Sequence, residues 1–255
     1  MKNYIAKSGS KLTLDNVGEL TTVDLYSVEG LDLLSNLWIK AAAEHRLMYE
    51  PTWLGRPIIQ FPNDIVAIQE LLWKLQPDVV IETGVAHGGS LMLSASILEL
   101  IGKGKVVGID IEIRAHNRNA IEAHPLIHRI ELIEGSSISD ETMLAVHQAI
   151  GDAKNVIVFL DSNHSESHVM RELELYSPLV SPGSYIVAHD GAQGWVWEIP
   201  RGKPGWKVDN PLGAIHKFLA SHPEFTIDPS PTRCGITSSP DGWLKRISST
   251  GDSHT

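Results

Sequence analysis

Cysteine occurs once in the 255 residues, at Cys234, so no disulfide can close within the chain, and a reducing compartment suits it. Basic side chains are outnumbered, 21 Lys and Arg against 31 Asp and Glu for a formal charge of -10, and they form no stripe. That excludes nucleic acid as a partner, because phosphate binding needs a cationic surface. No apolar run reaches the length of a membrane span, and the opening MKNYIAKSGSKLTLDN carries no apolar centre of a secretory leader. The expected location is the cytoplasm, with no membrane span. Nothing in the chain repeats, and the closing SSTGDSHT is small and polar, as frayed termini are.

A chain of this length can bury one good core. The expected division is an N-terminal extension over 1–62, a core over 63–247 and a disordered tail over 248–255. Residues 24–48 have helix-like apolar spacing, and YEPTWLGRPIIQFPND, broken by prolines and a glycine, leads into a second helix near 64–75. The extension is therefore read as helical.

From there the rhythm changes to VVIETG (79–84), VVGIDI (106–111), IELIEGS (130–136), VIVFLDS (156–162) and YIVAHD (185–190), each followed by a plausible helix. Short unalternated apolar strands between helices imply a parallel sheet covered on both faces. A helix near 210–221 precedes CGITSS and WLKRI, which Pro240-Asp241-Gly242 would join as a tight hairpin. The fold class is α/β: a doubly wound, mostly parallel, seven-stranded Rossmann-like sheet ending in an antiparallel hairpin. Ligands of such sheets sit beyond the carboxyl ends of the strands, and these strands end at Glu82, Asp110, Ser136, Asp161 and the pair His189 and Asp190.

The first strand turns into its helix through Glu82-Thr-Gly84-Val-Ala-His-Gly88-Gly89-Ser90. Glycines there let backbone N–H groups and a carboxylate approach a ligand closely. The spacing is not that of the dinucleotide fingerprint, which argues against NAD. Asp110 ends the next strand, where an acid can accept the hydroxyls of a ribose. Singly, Gly84 and Gly88 could merely make a turn and Asp110 cap a helix; on adjacent strand ends the ligand reading prevails. Asp161 and the His189–Asp190 pair close two further strands, and neighbouring strands lie about 4.8 Å apart, so three ligands could converge on one ion.

The phrases PIIQFPND, VIETGVAHGGS, GIDIEIRAHN, IELIEGSS, FLDSNHSESHVMRELELYSPLVSPGSYIVAHD, FLASHPEFTID and SSPDGWLKRI together resemble the cephalosporin hydroxylase and rhamnosyl O-methyltransferase family, from about residue 50 to 247. The resemblance implies S-adenosylmethionine as cofactor, with Glu82, Gly84, Gly88 and Ser90 lining its methionine and ribose region, Asp110 on the ribose and Ser137 beside the adenine. It also implies a divalent metal at Asp161, His189 and Asp190. His189 departs from the hydroxylase type, which has an acid there: magnesium prefers oxygen ligands, whereas imidazole suits Mn²⁺, Fe²⁺, Co²⁺ or Zn²⁺. His164 stands where similar macrolide-sugar methyltransferases carry a histidine base, the alternative being a solvent-facing residue at a helix start; Asp161 and His164 are the catalytic candidates.

Trp195, Trp197 and Trp206 lie in an irregular segment suited to cover an acceptor or meet a neighbouring subunit. Trp53 and Arg56 are the expected opposite wall. The expected partners are a small-molecule or glycan acceptor and further copies of the chain. The expected activity is metal-dependent O-methyl transfer to a hydroxyl of a sugar or glycosylated small molecule; the alternatives are a hydroxylase-type oxidoreductase component and a non-catalytic protein that binds S-adenosylmethionine.

Overall fold

The computed structural model describes residues 4–16 and 19–247; the expected disordered tail, 248–255, lies outside the described residues. The chain opens with a three-stranded antiparallel sheet, β1 (Tyr4–Ser8), β2 (Lys11–Asn16) and β3 (Glu19–Asp24), followed by helix α1 (Val28–Glu44). A two-residue hairpin, β4 (Thr52–Trp53) and β5 (Arg56–Pro57), leads into α2 (Pro62–Leu75). The core then alternates: β6 (Val79–Thr83), α3 (Gly89–Ile101), β7 (Lys105–Asp110), α4 (Ala115–Glu122), β8 (Ile130–Glu134), α5 (Asp140–Ile150), β9 (Val156–Leu160), α6 (Glu166–Tyr176) and β10 (Tyr185–Ala188). Helix α7 (Pro211–Ser221) and strands β11 (Phe225–Ile227) and β12 (Trp243–Arg246) complete it.

The helix starts follow from their first residues. Ser27 accepts from the Gly30 N–H at 3.1 Å, Ser139 from Thr142 at 3.2 Å, and Asn210 from Leu212 at 3.0 Å with Pro211 next in line; each satisfies an amide that has no partner inside its helix.

Seven strands form one sheet in the order β11-β12-β10-β9-β6-β7-β8. β6 to β10 pair in parallel, and β12 runs antiparallel to both β10 and β11. Because side chains alternate along a strand, Val80, Val106, Ile157 and Val187 face α2, α3 and α4, while Val79, Ile81, Val107 and Val158 face α5, α6 and α7. Both faces are covered, so polar groups are pushed to the strand ends. After β6 the chain builds towards β7 and β8; β9, on the other flank of β6, builds towards β10. The crevice where these directions part lies above β6 and β9, the place where open α/β sheets bind ligands.

Two expectations are corrected. The extension is not purely helical, since KLTLDN alternates at period two and pairs, as β2, with β3. The tight hairpin is absent: β12 pairs with β11, and CGITSS forms no strand. The Ser238 N–H and the Thr237 hydroxyl instead donate to the buried carboxylate of Asp64, at 2.8 and 2.6 Å, so a side chain takes the place of a ladder partner.

Candidate active site

Three strand ends build the site. β6 runs into Gly84, whose φ of +95° is open to glycine; a Cβ there would lie 2.1 Å from the carbonyl oxygen of Asp161. The two strand ends are thus pressed together, and Asp161 N–H donates to the Thr83 carbonyl at 2.9 Å. His189 N–H donates to the Leu160 carbonyl at 2.9 Å, which brings the end of β10 to the same place.

Asp161, His164 and Asp190 each offer a ligand atom within 4.8 Å of the others. His164 Nε2 lies 3.3 Å from Asp190 Oδ2. Burial pushes the Asp161 carboxyl well above its usual range, and Asp190, Glu82, Glu172 and Asp64 push it the same way. Charge of one sign is concentrated there with no Lys or Arg in the cluster, the environment a divalent cation relieves.

His189 does not join this cluster. Its Nδ1 is 3.0 Å from Ser239 Oγ, its ring lies between Phe159 and Trp243, and burial lowers its pKa to about 4. The residue that completes the trio is His164, expected as a base rather than a ligand.

Two open cavities meet at the cluster. One, of about 230 Å³, lies over the glycine turn and is lined by Gly84, Ala86, Ser90 and Asp161 among others. The second, of about 360 Å³, lies between α1 and the 191–207 segment. Tyr49, Ile59, His164 and Asp190 line both. Ile59, Ala86 and Asp190 all have positive φ, at 47°, 45° and 59°; such backbone strain in non-glycine residues concentrates at functional sites.

The remaining expected residues fall around this junction. Ser90 donates to Glu82, which is 3% exposed and whose pKa burial raises to about 7. Glu82 lines a small internal cavity with Gln60, Asp161 and His189 and not the open one. Gly88 sits beneath the turn, where a Cβ would meet Ile121 at 2.7 Å. Asp110 accepts from Val85 and Ala86 N–H at 2.9 and 3.1 Å through one oxygen, and from Glu112 N–H at 3.2 Å through the other. Of about four acceptor positions on a carboxylate, it retains room for one more donor. Ser137 bonds His168 Nε2 at 3.1 Å and lines neither open cavity.

Trp53 and Arg56 are not the acceptor wall. Trp53 donates to Ser96 on α3, and Arg56 to the His87 carbonyl and Asn117, so Trp53 is tied to the helix and Arg56 braces the glycine turn. Of the three tryptophans, only Trp206 lines the larger cavity. Sequence reasoning missed Gln60, whose Nε2 donates to Asp161 Oδ2 at 3.3 Å; its place just ahead of a helix-starting proline, in an otherwise apolar PIIQF, was the available signal.

A doubly wound sheet with a glycine turn and an acid pair meeting at its switch point defines a Rossmann-like fold with a ligand site above its strand ends. The family description Rhamnosyl O-methyltransferase/CmcI matches residues 45–247. The rhamnosyl O-methyltransferase of Mycobacterium bovis (strain BCG / Pasteur 1173P2) is 32% identical over 203 residues, spanning 76% of this chain and 78% of that protein. An apo structure of CmcI superposes with a TM-score of 0.55 at 19% identity, covering 79% of this chain and 78% of that one. A CmcI solved with Mg and SAM gives 0.54 at 18%, with 78% of each chain covered. The chain belongs to the rhamnosyl O-methyltransferase/CmcI family and is an S-adenosylmethionine-dependent O-methyltransferase. Among the described residues, no helix is long and apolar enough to cross a membrane.

Proposed function

We propose that this chain transfers the methyl group of S-adenosylmethionine to a hydroxyl of a sugar or glycosylated small molecule, with a divalent ion held at Asp161 and Asp190 and His164 beside them as the base. The carrying observation is that this trio borders the junction of two cavities, so a donor over the glycine turn and an acceptor under α1 would meet there. The name of the Mycobacterium relatives, rhamnosyl O-methyltransferase, supports a sugar acceptor.

The residues fit both bound groups. The glycine turn offers backbone at close range, and Gly84, Ser90 and the Asp161 side of the cavity would hold the methionine part. The two carboxylates make an oxygen donor set that Mg²⁺ or Mn²⁺ can use, which leaves the His164 imidazole free to accept a proton. When bound, such an ion lowers the pKa of a hydroxyl and orients its oxygen. His164 takes the hydroxyl proton, and Asp190 at 3.3 Å stabilises the imidazolium that results. Neutral His189 anchors the end of β10 through Ser239 and takes no part in proton transfer. Positioning the two reactants supplies most of the rate.

The same reading places residues 1–62 as an extension on a 63–247 core, with the enzyme in the cytoplasm. Val28, Leu31, Leu34 and Trp38 are exposed apolar residues along α1, and their helical spacing supports a homo-oligomer. The test is formation of S-adenosylhomocysteine from S-adenosylmethionine with rhamnosides as acceptors, with and without chelator. Oxygen consumption in place of that product would favour the hydroxylase alternative. Turnover unaffected by exhaustive chelation would remove the ion from the mechanism.

A further inference from the structure

The larger cavity is lined by two arginines, Arg46 and Arg201, and by one carboxylate, Asp190 of the cluster. In a chain where acids outnumber bases and the formal charge is -10, that balance is reversed. The same cavity has apolar walls such as Ile39, Val196 and Ile199, and low-dielectric walls focus the field of the charges that share a cleft.

The protein's own groups leave both guanidiniums unspent. Six of the nine arginines donate side-chain N–H groups to carboxylates or carbonyls. Among the described residues, Arg46, Arg114 and Arg201 donate none, and two of these three line one cavity. The carboxylate beside Arg201 is that of Glu44, whose Oε1 lies 3.8 Å from Nε, too far for a hydrogen bond. Its Oε2 accepts the Arg201 backbone N–H at 3.0 Å and fixes where that residue stands. Arg46 follows α1 in left-handed backbone, φ 58°, which a non-glycine residue rarely adopts. Its guanidinium carbon lies 4.4 Å from the centre of the Tyr49 ring, and Tyr49 lines both open cavities. Stacking restrains the long side chain and leaves its edge donors available.

We propose that Arg46 and Arg201 bind an anion carried by the acceptor, so that the site takes a sugar or glycoside bearing a phosphate or carboxylate in preference to a neutral one. The planar fork of a guanidinium matches either group with paired hydrogen bonds. This rests on the methyl-transfer reading only in identifying the occupant of the cavity as the acceptor.

The experiment is calorimetric binding of methyl α-L-rhamnoside, α-L-rhamnose 1-phosphate and 2-carboxyethyl α-L-rhamnoside to the full chain, with S-adenosylhomocysteine and Mg²⁺ present. At low salt at least one anionic probe binds about 10-fold or more tighter than the neutral one, and which one does so separates phosphate from carboxylate. The advantage shrinks as salt is added. Arg46→Gln and Arg201→Gln each reduce it and together abolish it, while the neutral probe keeps its affinity. Should the double variant lose S-adenosylhomocysteine binding and hence its fold, the two single variants decide. An advantage that survives the substitutions, as coordination to the ion alone would give, overturns the proposal, and so does equal or absent binding of the three probes. Failure of the wild type to bind S-adenosylhomocysteine would instead sink the methyl-transfer reading.

Discussion

Asp64 is 1% exposed on the first turn of α2, and its two hydrogen bonds to Thr237 and Ser238 do not offset burial, which raises its pKa from 3.8 to about 6. The fold thus prefers the neutral acid. The stability Asp64 contributes is fully present below pH 3.8, its unfolded value, and is lost as pH rises through about 6. At about 1.36 kcal/mol per pH unit, the window amounts to about 3 kcal/mol. Asp64→Asn cannot ionise, but its amide oxygen can accept only one of the two donors comfortably while its NH₂ faces the other. That mismatch costs about 1–3 kcal/mol at every pH. The wild type should therefore be the more stable protein at about pH 4, with the advantage shrinking by up to about 3 kcal/mol by about pH 7. Urea unfolding followed by tryptophan fluorescence, in chelator across this range, measures the difference. Glu82, whose shift owes nothing to Asp64, titrates in both proteins and cancels. A wild-type-minus-variant difference that stays flat with pH refutes the reasoning.

Gly84→Ala puts a methyl 2.1 Å from the Asp161 carbonyl oxygen at a φ of +95°; thermal stability should fall and S-adenosylhomocysteine binding be lost, so a variant of wild-type affinity counts against the site. Gln60→Leu removes a buried oxygen that has no hydrogen-bond partner among the described residues together with the donor to Asp161. Stability should hold or rise, while divalent-ion affinity measured by calorimetry falls about 10-fold or more; unchanged affinity would show that Gln60 does not orient the carboxylate. His164→Ala should lower turnover about 10² to 10⁴-fold with S-adenosylhomocysteine binding retained; near-normal turnover would mean another group takes the proton.

The core was legible because burial on both faces leaves a strong signature. VIVFL, residues 156–160, is apolar throughout, and each residue is buried in β9. The same logic located the polar strand ends, since a strand covered on both faces can present polar groups only where it stops. Legibility failed where side chains from distant segments decide the backbone. CGITSS has the composition of a strand, but Asp64, more than 170 residues earlier, captures its donors. The opposite held for β2, whose alternation was present but was subordinated to the helical pattern that follows.

The histidines mark the boundary more sharply. The order Asp161, His164, His189, Asp190 permits either imidazole to face the acids, because a residue at a strand end can turn to either side. The choice is made by Ser239, which holds His189 Nδ1 at 3.0 Å, and by the left-handed backbone of Asp190, φ 59°, where the chain turns sharply away from its neighbour. Once His189 is drawn into the core, its lowered pKa follows from burial, and only His164 remains near the carboxylates. A local sequence can therefore show which residue types gather at a strand end, while the assignment of ligand, base and anchor among them is fixed by a serine that only the folded chain brings within reach.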